Sequence, residues 1–139
     1  MTDMDSLIAD ILERTRTVAV VGFSANSARP SYGVAQFWVD RGVKVIGVNP
    51  GLAGQVFFGQ TVCADIRSLP DGVDMIDIFR QSDAVAGIID DVLARFESLP
   101  VIWLQLGVHD DDAVAKAAAH GADVIQNRCP KIEARRLGI

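Results

Sequence analysis

Residues 17–48 read TVAVVGFSANSARPSYGVAQFWVDRGVKVIGV, and this stretch decides the fold. It opens with Thr17–Gly22, a continuous run rich in β-branched residues that is typical of a strand buried on both faces. A helix over Val34–Val39 is predicted next, because Arg29-Pro30-Ser31 is a start signal and an Arg-Gly pair is a stop signal. Val43–Val48 then repeats the strand pattern. Strand, helix and strand in this order predict a parallel crossover unit.

The rest of the chain continues this alternation. Predicted strands follow at Val73–Phe79, Val101–Leu106 and Ala122–Ile125, and predicted helices cover Met4–Arg14, Ser82–Phe96, Asp110–His120 and Lys131–Arg136. We therefore expect residues 1–139 to form one domain, a three-layer, doubly wound, parallel five-stranded sheet of the Rossmann-like class with strand order 3-2-1-4-5. Ligands of such sheets bind at the carboxyl ends of the strands, where the winding reverses, which this order places between the first and fourth strands.

Composition excludes several classes of function. The 139 residues are 50% hydrophobic and 22% charged, which suits one ordinary folded domain. The net charge of −5 argues against a nucleic-acid partner, and no apolar run approaches the roughly 20 residues that span a bilayer. Two isolated cysteines, Cys63 and Cys129, suit neither a disulfide scaffold nor a closed metal site. We expect a cytoplasmic protein that binds no metal.

The loop after the first strand is a candidate phosphate site. Gly22 occupies the first glycine position of a dinucleotide fingerprint, but Ser24 and Ser27 occupy the other two. The loop leads into a helix N-terminus, whose free N–H groups attract anions, and Arg29 adds a fixed positive charge. An ordinary capped loop is the alternative interpretation.

Polar residues also follow the other strands. Asn49 stands where NAD-binding domains place an acidic residue, so it would not repel a phosphorylated ribose, although Asn-Pro can simply begin a turn. Arg80 follows the third strand and is a second candidate phosphate partner. Gln105 ends the fourth strand and needs a partner in a loop or a ligand, and Gly107 removes a side chain beside the crevice.

A catalytic set is not apparent in the sequence. It contains no serine nucleophile elbow, no glycine-rich loop with Lys-Ser or Lys-Thr, and no carboxylate pair with a supporting histidine. His109 and His120 are predicted at helix ends. Asp74 and Asp77 are three residues apart in a strand, so we expect them to point to opposite faces.

Five motifs in this order resemble the small stand-alone CoA-binding domain proteins. They are RPSY at 29–32, VNP at 48–50, FR at 79–80, WLQLG at 103–107 and NRCPKIE at 127–133. That family is similar to the CoA-binding N-terminal domain of the succinyl-CoA synthetase α subunit, and the resemblance covers nearly the whole chain. Family chains often carry a second basic residue where this chain has Gln81. The ligase chemistry of the synthetase, which uses a phosphohistidine in a further domain, is not implied.

The resemblance implies a Rossmann-like domain that binds coenzyme A or an acyl-CoA at the carboxyl edge of the sheet. No catalytic residue is predicted. The candidate cofactor-binding residues are Gly22, Phe23, Ser24, Arg29, Ser31, Val48, Asn49, Pro50, Phe79, Arg80, Gln105 and Gly107.

The leading hypothesis is a CoA-binding protein without catalysis of its own. One alternative is an NAD(P)-dependent redox enzyme, and another is a CoA-binding component of an acyl-CoA ligase that works with a separate partner chain. A third is an interaction module that has lost its ligand, with its crevice blocked by Phe23 or Tyr32. The expected partner is a small nucleotide ligand, with no nucleic acid and no membrane, and self-association is left open.

Overall fold

A computed structural model describes residues 2–139, and its centre is a five-stranded parallel sheet. The helices are α1 Asp3–Arg14, α2 Pro30–Asp40, α3 Val85–Arg95, α4 Asp111–Ala119 and α5 Pro130–Leu137. The strands are β1 Thr17–Val21, β2 Lys44–Val48, β3 Val56–Phe57, β4 Gln60–Thr61, β5 Met75–Ile78, β6 Val101–Leu104 and β7 Val124–Ile125. Within residues 2–139, no helix is long and apolar enough to cross a membrane.

Alternate side chains of the strands enter two separate cores, one on each face of the sheet. Ala19 and Val21 of β1 pack on the face covered by α3 and α4. Val18 and Val20 pack on the opposite face, which α1, α2 and α5 cover. This burial on both faces confirms the three-layer, doubly wound, Rossmann-like class.

The predicted strand order is wrong. The sheet runs β2-β1-β5-β6-β7, which in the numbering of the predicted strands is 2-1-3-4-5 and not 3-2-1-4-5. The reason is a short extended segment at Cys63, which forms an isolated parallel bridge with Val48 at the outer edge of β2. The Cys63 N–H donates to the Gly47 carbonyl at 2.9 Å, and the Asn49 N–H donates to the Cys63 carbonyl at 2.9 Å.

Because this segment covers the free edge of β2, β5 pairs with the other side of β1. The winding therefore reverses between β1 and β5, not between the first and fourth predicted strands. The predicted start of α3 also differs. Ser82 does not cap α3 but begins a separate 3₁₀ turn before it, and its Oγ accepts a hydrogen bond from the His109 N–H at 3.1 Å.

A small hairpin made by β3 and β4 lies beside the loop that follows β1. Its turn residues Phe58 and Gly59 have φ angles of 53° and 78°, the left-handed pair that a tight two-residue hairpin requires. The hairpin contributes Phe57, whose ring centroid lies 5.3 Å from that of Phe23, and Phe58, which lies 5.1 Å from Tyr32. The hairpin thus holds the first loop against the sheet.

Phe23 lies directly on the backbone of Gly47 in β2. A Cβ at Gly47 would meet the Phe23 ring at 2.8 Å, which is closer than real Cβ contacts allow. The Phe23 side chain is only 1% exposed as a result of this packing. Glycine at 47 is therefore needed for the loop after β1 to pack against β2.

We expect Gly47→Ala to destabilise the protein by about 1–3 kcal/mol, because the added methyl group overpacks the contact with Phe23. Urea denaturation followed by far-UV circular dichroism measures this. Gly87→Ala is the matched control, since a Cβ there has no atom within 4 Å. Gly87 lies in α3, so that change should raise stability by about 0.5–1 kcal/mol. Equal effects of the two substitutions would contradict the packing argument.

A carboxyl group is fully buried in the middle of the sheet. Asp77 of β5 is 0% exposed and lies in register between Val20 of β1 and Trp103 of β6. Burial raises the pKa of Asp77 to about 8, although the nearby indole N–H of Trp38 acts in the opposite direction. Within residues 2–139, the Trp38 indole N–H has no hydrogen-bond partner, and neither carboxyl oxygen of Asp77 has one.

Asp74 has a different role, because its Oδ2 accepts the N–H groups of Arg16 and Thr17 at 2.9 Å.

This raised pKa predicts that stability falls as pH rises. The folded state holds the Asp77 proton more tightly than the unfolded chain does. Its contribution to the free energy of unfolding is therefore fully present below about pH 4 and decreases steadily until about pH 8. The slope for one group is at most about 1.4 kcal/mol per pH unit. Asp77→Asn cannot titrate, so the free energy of unfolding of the wild type should fall more than that of the variant between about pH 5 and pH 8. Parallel pH profiles would refute this.

Candidate ligand-binding site

The main opening, called the first cleft, lies at the carboxyl ends of β1, β2, β5 and β6 and has a volume of about 740 Å³. This is where parallel sheets bind their ligands. Phe23 does not block it, because its ring is turned into the core beside Gly47. The first cleft brings together the predicted residues Gly22, Phe23, Ser24, Arg29, Ser31, Asn49, Phe79 and Gln105.

A neighbouring opening, called the side cleft, has a volume of about 460 Å³. Gly22 and Asn49 line both clefts, and the predicted residues Val48, Pro50 and Arg80 line only the side cleft. Arg29 and Arg80 therefore lie in different clefts. The structure places Gly107 in neither wall; its φ of +86° lets the chain turn after β6, and its N–H donates to Asn127 Oδ1 at 2.7 Å.

The loop after β1 is shaped by its own polar side chains. Ser31 Oγ accepts the Ser24 N–H at 3.1 Å, and Ser24 Oγ accepts the Asn26 N–H at 3.1 Å. Asn26 Oδ1 then accepts the Ala28 N–H at 3.0 Å. These bonds fix the loop in a curve along the wall of the cleft. In two of them a serine Oγ is the acceptor, so the hydroxyls of Ser24 and Ser31 can still donate hydrogen bonds.

Helix α2 begins at the edge of the first cleft. Arg29 is its N-cap and makes no side-chain capping bond, Pro30 occupies the first turn, and that turn contains no acidic residue. The first-turn N–H groups and the positive end of the helix dipole thus have no anion from the helix itself. Arg29 is exposed beside them. Such an arrangement is electrostatically favourable for an anion.

Asn49 ties two of the site's loops together. Its Nδ2 donates to the Phe23 carbonyl at 2.8 Å, and its Oδ1 accepts the Gly51 N–H at 2.8 Å. Both ends of the amide are therefore engaged with the backbone. Asn49, one of the candidate cofactor-binding residues, thus holds the loop after β1 against the loop after β2.

Gln105 follows β6 and is 7% exposed. Its backbone N–H donates to the Ile78 carbonyl at 3.1 Å, which fixes it at the end of the sheet. Its side-chain Oε1 is buried and, among the described residues, has no hydrogen-bond partner. No loop among the described residues satisfies this oxygen, and it is shielded from the first cleft itself.

Sequence reasoning missed several wall residues. Leu106 and Val108 line the first cleft, and Ala64–Ile66 line the side cleft. The Ala64–Ile66 segment follows the extended residue Cys63, whose single bridge to β2 is too short to show any periodicity. One sequence signal could have indicated a turn at this segment, namely Asp65 followed three residues later by Ser68. In the structure Asp65 caps the turn by accepting the Ser68 N–H at 3.0 Å.

Comparison with known proteins identifies the family of this chain. The family model described as "CoA binding domain" matches residues 16–135, which include every predicted site residue. The chain belongs to this CoA-binding domain family. Family membership means that the chain carries a CoA-binding domain, and the Rossmann-like sheet described above is its scaffold.

Relatives of similar size share this fold. The chain is 29% identical over 125 residues to the uncharacterized protein YneT of Bacillus subtilis, covering 90% of each chain. It is 30% identical to the Thermus thermophilus structure "cell-free ID.343", with a TM-score of 0.86 and 99% of each chain covered. An acetyl-coenzyme A synthetase 1 of Ca. Korarchaeum cryptofilum shares the fold at 22% identity and a TM-score of 0.65, over 80% of this chain and 26% of the synthetase.

The two hydrogen bonds of the Asn49 side chain predict how its substitution behaves. Asn49→Asp can still accept the Gly51 N–H but cannot donate to the Phe23 carbonyl, and it places a carboxylate against that carbonyl oxygen. We expect a loss of about 1–3 kcal/mol in the free energy of unfolding, measured by urea denaturation.

The same chemical change at a second asparagine provides the matched control. Asn26 is exposed, and its Oδ1 accepts the Ala28 N–H, a bond that a carboxylate keeps. Asn26→Asp should therefore change stability by less than about 0.5 kcal/mol. Unchanged stability of Asn49→Asp would show that the two loops do not depend on the Asn49 amide.

Proposed function

We propose that this protein binds coenzyme A or an acyl-CoA in the first cleft, at the carboxyl edge of the sheet, and does not itself catalyse a reaction. The observation that carries the proposal is the open cleft beneath the uncapped N-terminus of α2, in a chain whose family is CoA-binding. Its volume of about 740 Å³ lies in the range of small-molecule sites, roughly 300–1,000 Å³.

The charge distribution favours the first cleft for the phosphates. Among the described residues that line it, Arg29 is the only one with a charged side chain. The side cleft holds Arg80 together with Asp65 and Asp91, so its positive charge is opposed by carboxylates. Of these two clefts, the first is therefore the more favourable for an anionic ligand, despite the net charge of −5 on the whole chain.

The polar groups of the first cleft support a binding role. Ser24, Ser31 and Asn49 all hydrogen-bond to backbone groups of the surrounding loops. Such side chains preorganise a site and lower the entropic cost of ligand binding. A nucleophile, by contrast, needs an adjacent base to activate it, and the bonds of these serines run to backbone N–H groups.

Coenzyme A fits this site better than a nicotinamide dinucleotide. NAD-binding domains use an acidic residue after the second strand to hold the adenosine ribose. Here Asn49 occupies that place and its amide is engaged with Phe23 and Gly51. An uncharged residue at this position does not repel the 3′-phosphate of coenzyme A.

Calorimetric titration with coenzyme A, dephospho-CoA and NADH tests the proposal. We expect coenzyme A to bind and NADH not to bind. Arg29→Ala should weaken binding of coenzyme A by about 1.5–3 kcal/mol, because it removes a charge-assisted contact, and Arg80→Ala should have a smaller effect. Lys44→Ala is the control, since Lys44 starts β2 at the opposite edge of the sheet. Absence of coenzyme A binding at millimolar concentration would refute the proposal, and tighter binding of NADH would favour the redox alternative.

A further inference from the structure

An additional opening, called the α2–α5 cleft, lies between the starts of α2 and α5 and has a volume of about 490 Å³. It shares wall residues with the first cleft, among them Pro30 and Leu106, so the two openings adjoin. Beyond the shared wall it is lined by Ile132 and by two cations, Lys131 and Arg135. A ligand that leaves the first cleft past Leu106 therefore enters a space bounded by α5.

Aliphatic side chains form one part of the α2–α5 cleft and are open to solvent. Leu106 is 59% exposed and Ile132 is 53% exposed. Large aliphatic side chains that are exposed together in a concave site are typical of a surface that a ligand covers. Val34 of α2 adds a further aliphatic group to the wall. This part of the cleft is suited to the methylene groups of a short hydrocarbon chain.

Two cations without partners form the other part. Lys131 and Arg135 lie four residues apart on α5, so their side chains leave the same face of the helix. Both are exposed, and neither has a salt bridge among the described residues, whereas Arg128 and Arg136 both hold Glu133. The described wall of the cleft contains no carboxylate. The positive charge beside the aliphatic wall is therefore not compensated by the chain.

The end of the chain does not supply the missing anion. Ile139 lies near Lys131 and Arg135 in a neighbouring depression of the surface. Its carbonyl oxygen accepts a hydrogen bond from Arg41 Nη1 at 3.0 Å, so Arg41 already holds it. A ligand with an anionic group is left as the partner of the two cations.

We propose that the α2–α5 cleft holds the acyl group of a bound acyl-CoA and favours acyl groups that end in a carboxylate, which Lys131 and Arg135 bind. The inference rests on the proposed function and names its class of ligand, the CoA thioesters of dicarboxylic acids. Lys131 and Arg135 are then specificity residues, and Leu106 and Ile132 contact the aliphatic part of the acyl group.

The order of chemical groups along the two clefts supports this class of ligand. Arg29 and the start of α2 favour an anion in the first cleft, the shared wall presents Leu106, and the cations lie beyond it. A CoA thioester of a dicarboxylic acid carries phosphates, then an aliphatic chain, and then a terminal carboxylate. An ammonium and a guanidinium are both donors to carboxylate oxygens, whereas a neutral acyl end leaves them unused.

The test compares coenzyme A, valeryl-CoA and glutaryl-CoA by isothermal titration. The two acyl groups have the same number of carbon atoms, and only the glutaryl group ends in a carboxylate. The wild type should bind glutaryl-CoA about 3- to 10-fold more tightly than valeryl-CoA, the combined effect of two solvent-exposed ion pairs. The double variant Lys131→Gln/Arg135→Gln should lose this preference and should bind valeryl-CoA and coenzyme A within about twofold of the wild type.

A matched double variant controls for the change in net charge. Lys44→Gln/Arg67→Gln removes the same charge at two exposed cations that line neither the first cleft nor the α2–α5 cleft. It should keep the preference for glutaryl-CoA. Loss of the preference in this control as well would show that net charge, and not the α2–α5 cleft, selects the ligand, and would overturn the inference.

A second pair of variants tests the aliphatic part of the cleft. Ile132→Ser should weaken both acyl-CoAs about 2- to 5-fold and leave coenzyme A unchanged, because it removes an apolar contact with the acyl chain. Val56→Ser, at an exposed valine in the hairpin, should affect none of the three ligands.

The outcomes separate this inference from the proposed function. If the wild type binds none of the three ligands, the proposed function itself fails. If it binds coenzyme A but does not distinguish glutaryl-CoA from valeryl-CoA, only the assignment of the acyl group is overturned. Equal weakening of all three ligands by Lys131→Gln/Arg135→Gln would also overturn that assignment, because the two cations would then contact a phosphate that all three ligands share.

Discussion

The contact between the Phe23 ring and the bare backbone of Gly47 is the constraint on which the site depends. It holds the loop after β1 down on β2, and the β3–β4 hairpin covers the ring from the other side through Phe57 and Phe58. With the ring buried there, the space above the carboxyl ends of the strands stays open, and α2 begins at its edge. A Cβ at 47 would meet the Phe23 ring at 2.8 Å, so the ring or β2 would have to shift.

Polar groups in this protein fall into two kinds. Most are satisfied within the chain, as Asn49 is by Phe23 and Gly51, and these fix the shape of the loops. A few are buried and, within residues 2–139, have no partner, among them Asp77 in the sheet and Gln105 at its edge. Burial accounts for the raised pKa of Asp77, which does not line the first cleft, whereas the side chain of Gln105 does.

The pattern of apolar residues was sufficient to locate the central strands and the helices, because it extends over several consecutive residues of a buried strand and over several turns of an amphipathic helix. It could not reveal the extended residue Cys63, since one bridge to β2 has no repeat, and the strand order was wrong for that reason. The rule that ligands bind at strand ends placed Gly22, Arg29 and Gln105 in one cleft. It could not foresee that Arg80 lies in a separate cleft beside Asp65 and Asp91.

The sequence by itself determined the class of fold, the family and the loops that meet at the site, because these follow from local pattern and from motifs spread along the chain. Only the tertiary structure decided which polar atoms are already satisfied and which remain available. That depends on contacts between residues far apart in sequence, such as Asn49 with Phe23, and on the side of β1 that β5 occupies. Whether a polar atom has a hydrogen-bond partner depends on which residues surround it in three dimensions, and the residue type at a position does not specify this.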